Sequence, residues 1–510
     1  MNVKHLVLLI PVISLFMFCS IPDDVLPDYQ LGIFDNSIDI GEVKHAGSVE
    51  YNHETEEYMI TGSGFNMWAE TDEMHFLWKA VQGDFILRAE IEFVGEGVDP
   101  HRKVGWAVRN NLSSHSAMVN GTVHGDGLVS LQYRKEFNGP TEETVSKDSS
   151  ANVIQLARIG DTYIFSTAKK GNPFSVVQTS EVNLKNEVLA GIYVCAHNPD
   201  VIEQAKFRNV RIIKPAPEDL IQYQQYLGSR MEILNIETGN RTVLFESEHS
   251  IQAPNWTVDG ESLIYNSNGY LYTYHFEKEK IELLNSGFAV NNNNDHVLSF
   301  DGKLLGISNH NPDDDNNSTI YILPSNGSDS LKQVTKSGIG ASYLHGISPD
   351  NSRVAFTGFR NGKYDIYSAD INTMEEIQLT DTPGLDDGSE YSPDGKYIYF
   401  NSDRTGAMQI WRMDADGSNE TQLTFDEEFN DWFPHISPDG KWIAFISFGT
   451  DVEPSQHPFY KEVMLRLMPI EGGEPTIIAY VYGGQGTMNV PSWSPDSKKI
   501  AFVSNSGTYY

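Results

Sequence analysis

Six copies of one short phrase limit the folds open to this chain. The fullest is ISPDGKWIAF at 436–445, and the others are TVDGESLIY from 257, LSFDGKLLGI from 298, ISPDNSRVAF from 347, YSPDGKYIYF from 391 and WSPDSKKIAF from 493. Their turn aspartates, Asp259, Asp301, Asp350, Asp394, Asp439 and Asp496, lie 42, 49, 44, 45 and 57 residues apart. Asp-Gly, Asp-Asn and Asp-Ser make tight turns, and the flanking runs alternate as strands do. A turn between alternating runs, returning every 40–50 residues or so, is the signature of a β-propeller. The run SRMEILNIETGNRTVLFES after 228 supplies two outer strands with no inner ones before them, and PSWSPDSKKIAFVSN from 491 supplies inner strands with no outer ones after them. Together they make one shared blade. With five complete blades, a six-bladed ring closes.

The 510 residues carry 70 acids against 36 Lys+Arg, a net charge of −34. No basic stripe is available for phosphate, so a nucleic-acid partner is excluded, and an acidic surface repels anionic lipid. Cys19 and Cys195 are the two cysteines, and no disulfide framework follows from them. Lys4 and the apolar run LVLLIPVISLFMF have the layout of an export signal, too short to span a bilayer. Cys19 ends that run, and the segment resembles a bacterial lipoprotein signal, although Phe18 stands where that motif wants a small residue. The resemblance implies lipidation at Cys19 as the single membrane attachment, and residence in the periplasm or outer membrane. The chain is expected to be a monomer.

Residues 1–19 are thus a leader and 20–32 a tether. From 33 to 214 the pattern is all-β: DFILRAEIEFVG, KVGWAVRN, LVSLQYRKEF and LAGIYVCAH alternate and are rich in Val, Ile, Phe and Tyr. Such a length of strands predicts a two-sheet sandwich. The order, closing on AKFRNVRIIK, resembles the concanavalin-like, laminin-G type of sandwich. Residues 215–228, with Pro215 and Pro217, read as a linker holding one short helix or turn, and 229–510 as the propeller. Blade 391–424, YSPDGKYIYFNSDRTGAMQIWRMDADGSNETQLT, resembles the repeat of the TolB propeller family nearly throughout, while Val258 and Phe300 replace the usual proline in the early repeats. TolB is a periplasmic protein-binding propeller, but the repeat also occurs in peptidases and lyases, so the fold alone does not settle function.

Residues just before each turn are expected at the central channel. There stand His296, His345, Glu390 and His435, from four successive blades. Three imidazoles and a carboxylate suit a divalent metal, and the set resembles the channel histidines of oligogalacturonate lyases. His345, His435 and Glu390 are then the catalytic candidates. The histidines at 296 and 345 sit five residues before their aspartates and His435 and Glu390 four, so strand alternation works against their convergence. Histidines bonded to backbone are the competing expectation. Asn255, Asp387, Asp431, Arg404, Gln456, His457 and Gln485 are candidate ligand contacts, the last three from or near the inserted loop 450–463 and the loop 482–489 in the case of Gln456, His457 and Gln485. The runs NNNND at 291–295 and NPDDDNN at 311–317 lack EF-hand spacing and are expected to be solvated turns. Trp68, Trp78, Trp106 and Tyr133 of the sandwich are candidate sugar platforms, with a place in the core as the simpler expectation.

GxSxG, P-loop, dinucleotide and HExxH motifs are absent from the sequence. Two classes remain. One is an exported envelope protein that binds a glycan or a protein partner, in polysaccharide uptake or degradation. The other is a metal-dependent lyase or hydrolase of acidic oligosaccharides, for which Arg404, Arg412, Lys461 and Arg466 are the candidate cations. No cofactor beyond that metal is implied.

Overall fold

A computed structural model describes residues 31–179 and 181–507. The leader and Cys19 lie outside the described residues. Nearly all regular structure is strand; the short helical turn Pro312–Asp314 is an exception. No described helix is long and apolar enough to cross a membrane.

The first half forms two seven-stranded antiparallel sheets. In one, Glu187–Cys195 and Met118–His124 flank the central strand Lys103–Arg109; in the other, Val153–Ile159 and Glu203–Ile213 flank Phe85–Val94. Alternate residues of both sheets, among them Leu77, Trp106 and Ile192 from one and Leu87, Leu156 and Phe207 from the other, meet in one buried core. That shared core makes the pair a sandwich. Trp106 is wholly inside it, so its ring is core, while Trp68 stays 40% exposed. The segment after Pro215 runs as turns rather than a helix.

The second half is a six-bladed propeller. Five blades are four-stranded sheets in sequential order. The sixth joins Arg241–Ser247 and Gly228–Asn235 to Lys499–Ser506 from the far end of the chain, in an eight-residue antiparallel register. Trp493, bridged to Ile500, begins its inner edge. The expected shared-blade closure is what the structure shows.

The repeated turn works the same way six times. A hydroxyl two residues before the aspartate donates to it, from Ser437 to Asp439 at 2.7 Å and from Ser392 to Asp394 at 2.7 Å, and the backbone N–H two residues on donates as well, Lys396 to Asp394 at 3.1 Å. The residue after the aspartate is left-handed, φ 70° at Gly395 and 60° even at Ser497. This is why Gly, Asn or Ser follows each aspartate. These donors hold all six carboxyls below their ordinary range, Asp394 to about 2, with Lys396 the largest influence there. A depressed folded pKa contributes stability above the unfolded value and loses it as pH falls. Asp394→Asn is therefore expected to destabilise the propeller by about 1 kcal/mol at pH 7, after allowing for solvent screening of a surface carboxylate. The deficit should vanish between pH 4 and about 2, where the wild type loses the same charge. Thermal melts across that range check it; a deficit that persists at the acid end contradicts the account.

The sandwich and propeller are tied together by hydrogen bonds and ion pairs. Gln155 donates to Glu462 at 2.9 Å, Tyr480 to the Asn172 carbonyl at 2.5 Å, and Arg211 pairs with Glu232 at 2.8 Å. Ile86, Ala157 and Ile213 of the sandwich pack against Phe459, Tyr460 and Tyr482 of the propeller.

Candidate functional site: the channel mouth

Each of the five complete inner strands breaks register once. The breaks fall between Gln252 and Asn255, Asn292 and His296, Leu344 and Gly346, Asp387 and Glu390, and Trp432 and His435. Left-handed backbone marks several of these bulges: φ is 56° at Ala253, 68° at Gly388 and 54° at Phe433. A bulge resets the alternation of side chains. Tyr343 and Asp387, before the breaks, and Asp295, His345 and Phe433, within them, face one end of the channel, while Asn255, Ile347, Glu390 and Ile436, after them, face the turn end.

At the first end lies a cavity of about 980 Å³. Asp295, Tyr343, His345, Asp387 and Phe433 reach it from inner strands, His457 and Phe459 from the inserted loop, and Gln485 and Asn489 from the loop before the closing strands. Tyr223 and Tyr226 of the linker complete its rim, both edge-on to Phe459 with ring centroids at 5.3 and 5.8 Å. A smaller hollow of about 300 Å³ at the turn end is walled by apolar residues such as Trp256, Phe300, Ile347 and Trp493.

Within the large cavity, Asp387 is the best-held group. It accepts from the Thr357 hydroxyl at 2.6 Å and the Gly388 N–H at 2.7 Å, and lies 3.0 Å from His345 Nε2. Burial opposes its charge, but His345 outweighs that and brings its pKa down to about 2. Conversely, Asp387 and Asp295 raise the His345 pKa against the pull of burial. His345 stacks on Phe433 at 5.8 Å, and His457 is edge-on both to that ring, at 5.3 Å, and to Trp432, at 4.4 Å. Burial lowers the His457 pKa, and its Nδ1 bonds to Gln485.

The expected metal set does not assemble. His345 reaches the cavity, but His435 pairs with Glu390 at 2.7 Å and its other nitrogen faces the Met488 carbonyl at 3.2 Å. His296 is fully buried, with Nε2 3.4 Å from the Ile264 carbonyl. The bulges are the physical reason: His345 falls inside the break of its strand, whereas His296 and His435 lie after theirs, paired with Ile307 and Ala444. Among the described residues, no group of three or more His, Cys, Asp or Glu has the geometry to hold a metal ion.

Of the expected ligand contacts, Asp387, His457 and Gln485 line the cavity together. Asn255 instead lines the turn-end hollow and stitches blades, donating to the Pro491 carbonyl and accepting from the Leu298 N–H at 3.1 Å. Asp431 is fully buried between Ser447 at 2.6 Å and Arg466 at 3.2 Å. Arg404 is spent on Asp386 at 2.9 Å and on Glu420. Gln456 is exposed and is not among the residues lining the cavity. The candidate cations are likewise committed: Arg466 to Asp426 at 2.7 Å, Lys461 to Asp451 at 3.1 Å, and Arg412 over the Tyr397 ring at 4.5 Å.

Sequence reasoning missed Tyr343 and the linker tyrosines as cavity residues. The NNNND run is not a solvated turn; Asn292, Asn294 and Asp295 are buried and the run lines the cavity. Position relative to the turn was the available signal, since Asp295 stands six residues before Asp301, as Phe433 does before Asp439. Nothing local marks Tyr223 or Tyr226.

The family model for the TolB beta propeller domain matches residues 314–463. A solved structure from Agrobacterium tumefaciens, described as a candidate TolB, is 42% identical, with a TM-score of 0.52, and the match covers 56% of this chain and all of that one. An uncharacterized protein of Agrobacterium fabrum is 43% identical over 278 residues, 54% of this chain and 92% of its own length. The chain belongs to the TolB β-propeller family. The family model falls within the propeller half. An oligogalacturonate lyase from Vibrio parahaemolyticus is 14% identical, with a TM-score of 0.35, covering 55% of this chain and 78% of that one. For this TolB-family propeller, nothing of that enzyme's activity follows from so distant a likeness.

Proposed function

We propose that this TolB-family protein binds a glycan in the wide mouth of its propeller channel. One observation carries the reading: a cavity of about 980 Å³ walled by amide, hydroxyl, tyrosyl and carboxylate side chains, with no lysine or arginine among the described residues that line it. Polyhydroxylated ligands are recognised by such mixed donors and acceptors beside aromatic faces, in cavities of this size. An acidic oligosaccharide would find no lysine or arginine there, so the acidic-substrate lyase is the weaker reading. The export leader and Cys19 support an envelope setting, with lipid anchoring and a place in polysaccharide uptake or degradation as parts of the proposal. We read the N-terminal sandwich as concanavalin-like, a further support for carbohydrate work.

The experiment is a glycan-array screen of the leaderless protein, followed by calorimetry on the hits. Asp387→Asn is expected to weaken binding at least tenfold, since a hydrogen bond to a charged group contributes about 1.5–3 kcal/mol. Loss of every glycan hit in calorimetry, or an Asp387→Asn variant that binds as tightly as wild type, contradicts the proposal.

A further inference from the structure

Asp295 is an unusual member of the cavity wall. It is only 5% exposed and lines the cavity, and it receives a hydrogen bond from the Asn293 side chain at 2.7 Å. No lysine or arginine among the described lining residues approaches it. His345 is already 3.0 Å from Asp387. Burial disfavours the His457 cation. Two desolvated carboxyls, Asp295 and Asp387, thus share one nearby imidazole. Burial raises the Asp295 pKa to about 6, which is the mark of a missing counter-charge.

The surroundings suit a cation. Tyr343 and Tyr364 have ring centroids 6.4 Å apart, and the Tyr343 phenol feels both carboxylates. Aromatic faces beside a buried carboxylate attract an ammonium group. The net charge of −34 draws cations toward the mouth from a distance.

We propose that the ligand is an amino sugar with a free amine, and that Asp295 receives its ammonium group. This rests on the glycan reading and narrows it to a substrate class. A glucosamine oligomer and its fully N-acetylated counterpart share one backbone and differ in that charge, so they separate the two claims. Calorimetry at pH 7 is expected to show the free-amine hexamer binding at least tenfold tighter than the N-acetylated hexamer. Asp295→Asn should erase that preference, and an unchanged melting temperature shows the variant folded. Equal affinity of the two hexamers, or a preference that survives Asp295→Asn, overturns the ammonium assignment and leaves the glycan reading standing. If neither hexamer nor any array glycan binds, both fall. Cadaverine, a diamine without a sugar, is the last arm: binding as tight as the free-amine hexamer shows that the site reads a bare ammonium and overturns the amino-sugar proposal.

Discussion

Glu232→Ala is expected to destabilise the protein by about 3–5 kcal/mol, because it strands two buried guanidinium groups. Glu232 is fully buried in the shared blade. It receives Arg211 at 2.8 Å from the last strand of the sandwich, Arg241 at 2.9 Å from the propeller, and the hydroxyl of Ser504 from the closing strand. Burial alone would push its pKa up, but the two arginines outweigh it and hold the carboxyl well below the usual range. Its contribution is therefore present above the ordinary glutamate value and fades as pH falls below it. Glu232→Gln keeps the shape and some hydrogen bonds and should cost less than the alanine variant. Urea denaturation of both variants at pH 7 checks the ranking. A shift under about 1 kcal/mol for Glu232→Ala would mean that water reaches the arginines and replaces the carboxylate.

The second large effect concerns closure. A chain cut after residue 488 loses Lys499–Ser506, and with it all eight register pairs along Gly228–Asn235. Glu232 loses Ser504 as well. The inner edge of Gly228–Asn235 is then unpaired where the ring should be continuous. The expected result is a broad, weakly cooperative melt with rapid proteolysis inside the propeller, in place of one sharp transition. A truncated chain that melts as sharply as the full one would show that the five complete blades hold the ring without the sixth.

The turns were legible because their chemistry is local. A serine or threonine, an aspartate two residues on and a left-handed residue after it can be seen in four letters, so blade number and closure followed from sequence. The bulges were not legible, since a bulge exists only between two strands. That is why His345 and His435 were read as neighbours although one faces the cavity and the other pairs with Glu390. The asparagine run misled for a related reason. Amides look solvent-seeking, yet Asn292 bonds the carbonyls of Gly269 and Ala289, at 2.9 and 2.8 Å, and so settles inside. Tyr223 and Tyr226 were beyond reach because only the packing of sandwich on propeller carries the linker to the rim.

The recurrent bulge also has a bearing on how such a protein changes. Blade cores are held by residues on either side of it, while the one to three residues inside it leave the ladder of their own sheet. Ala253, Asp295, His345, Gly388 and Phe433 lie inside these breaks and differ in size, charge and polarity. The ring therefore behaves as a set of separately editable positions around a constant frame. A new ligand preference can be written one blade at a time, by a single codon, without rebuilding the wall that presents it.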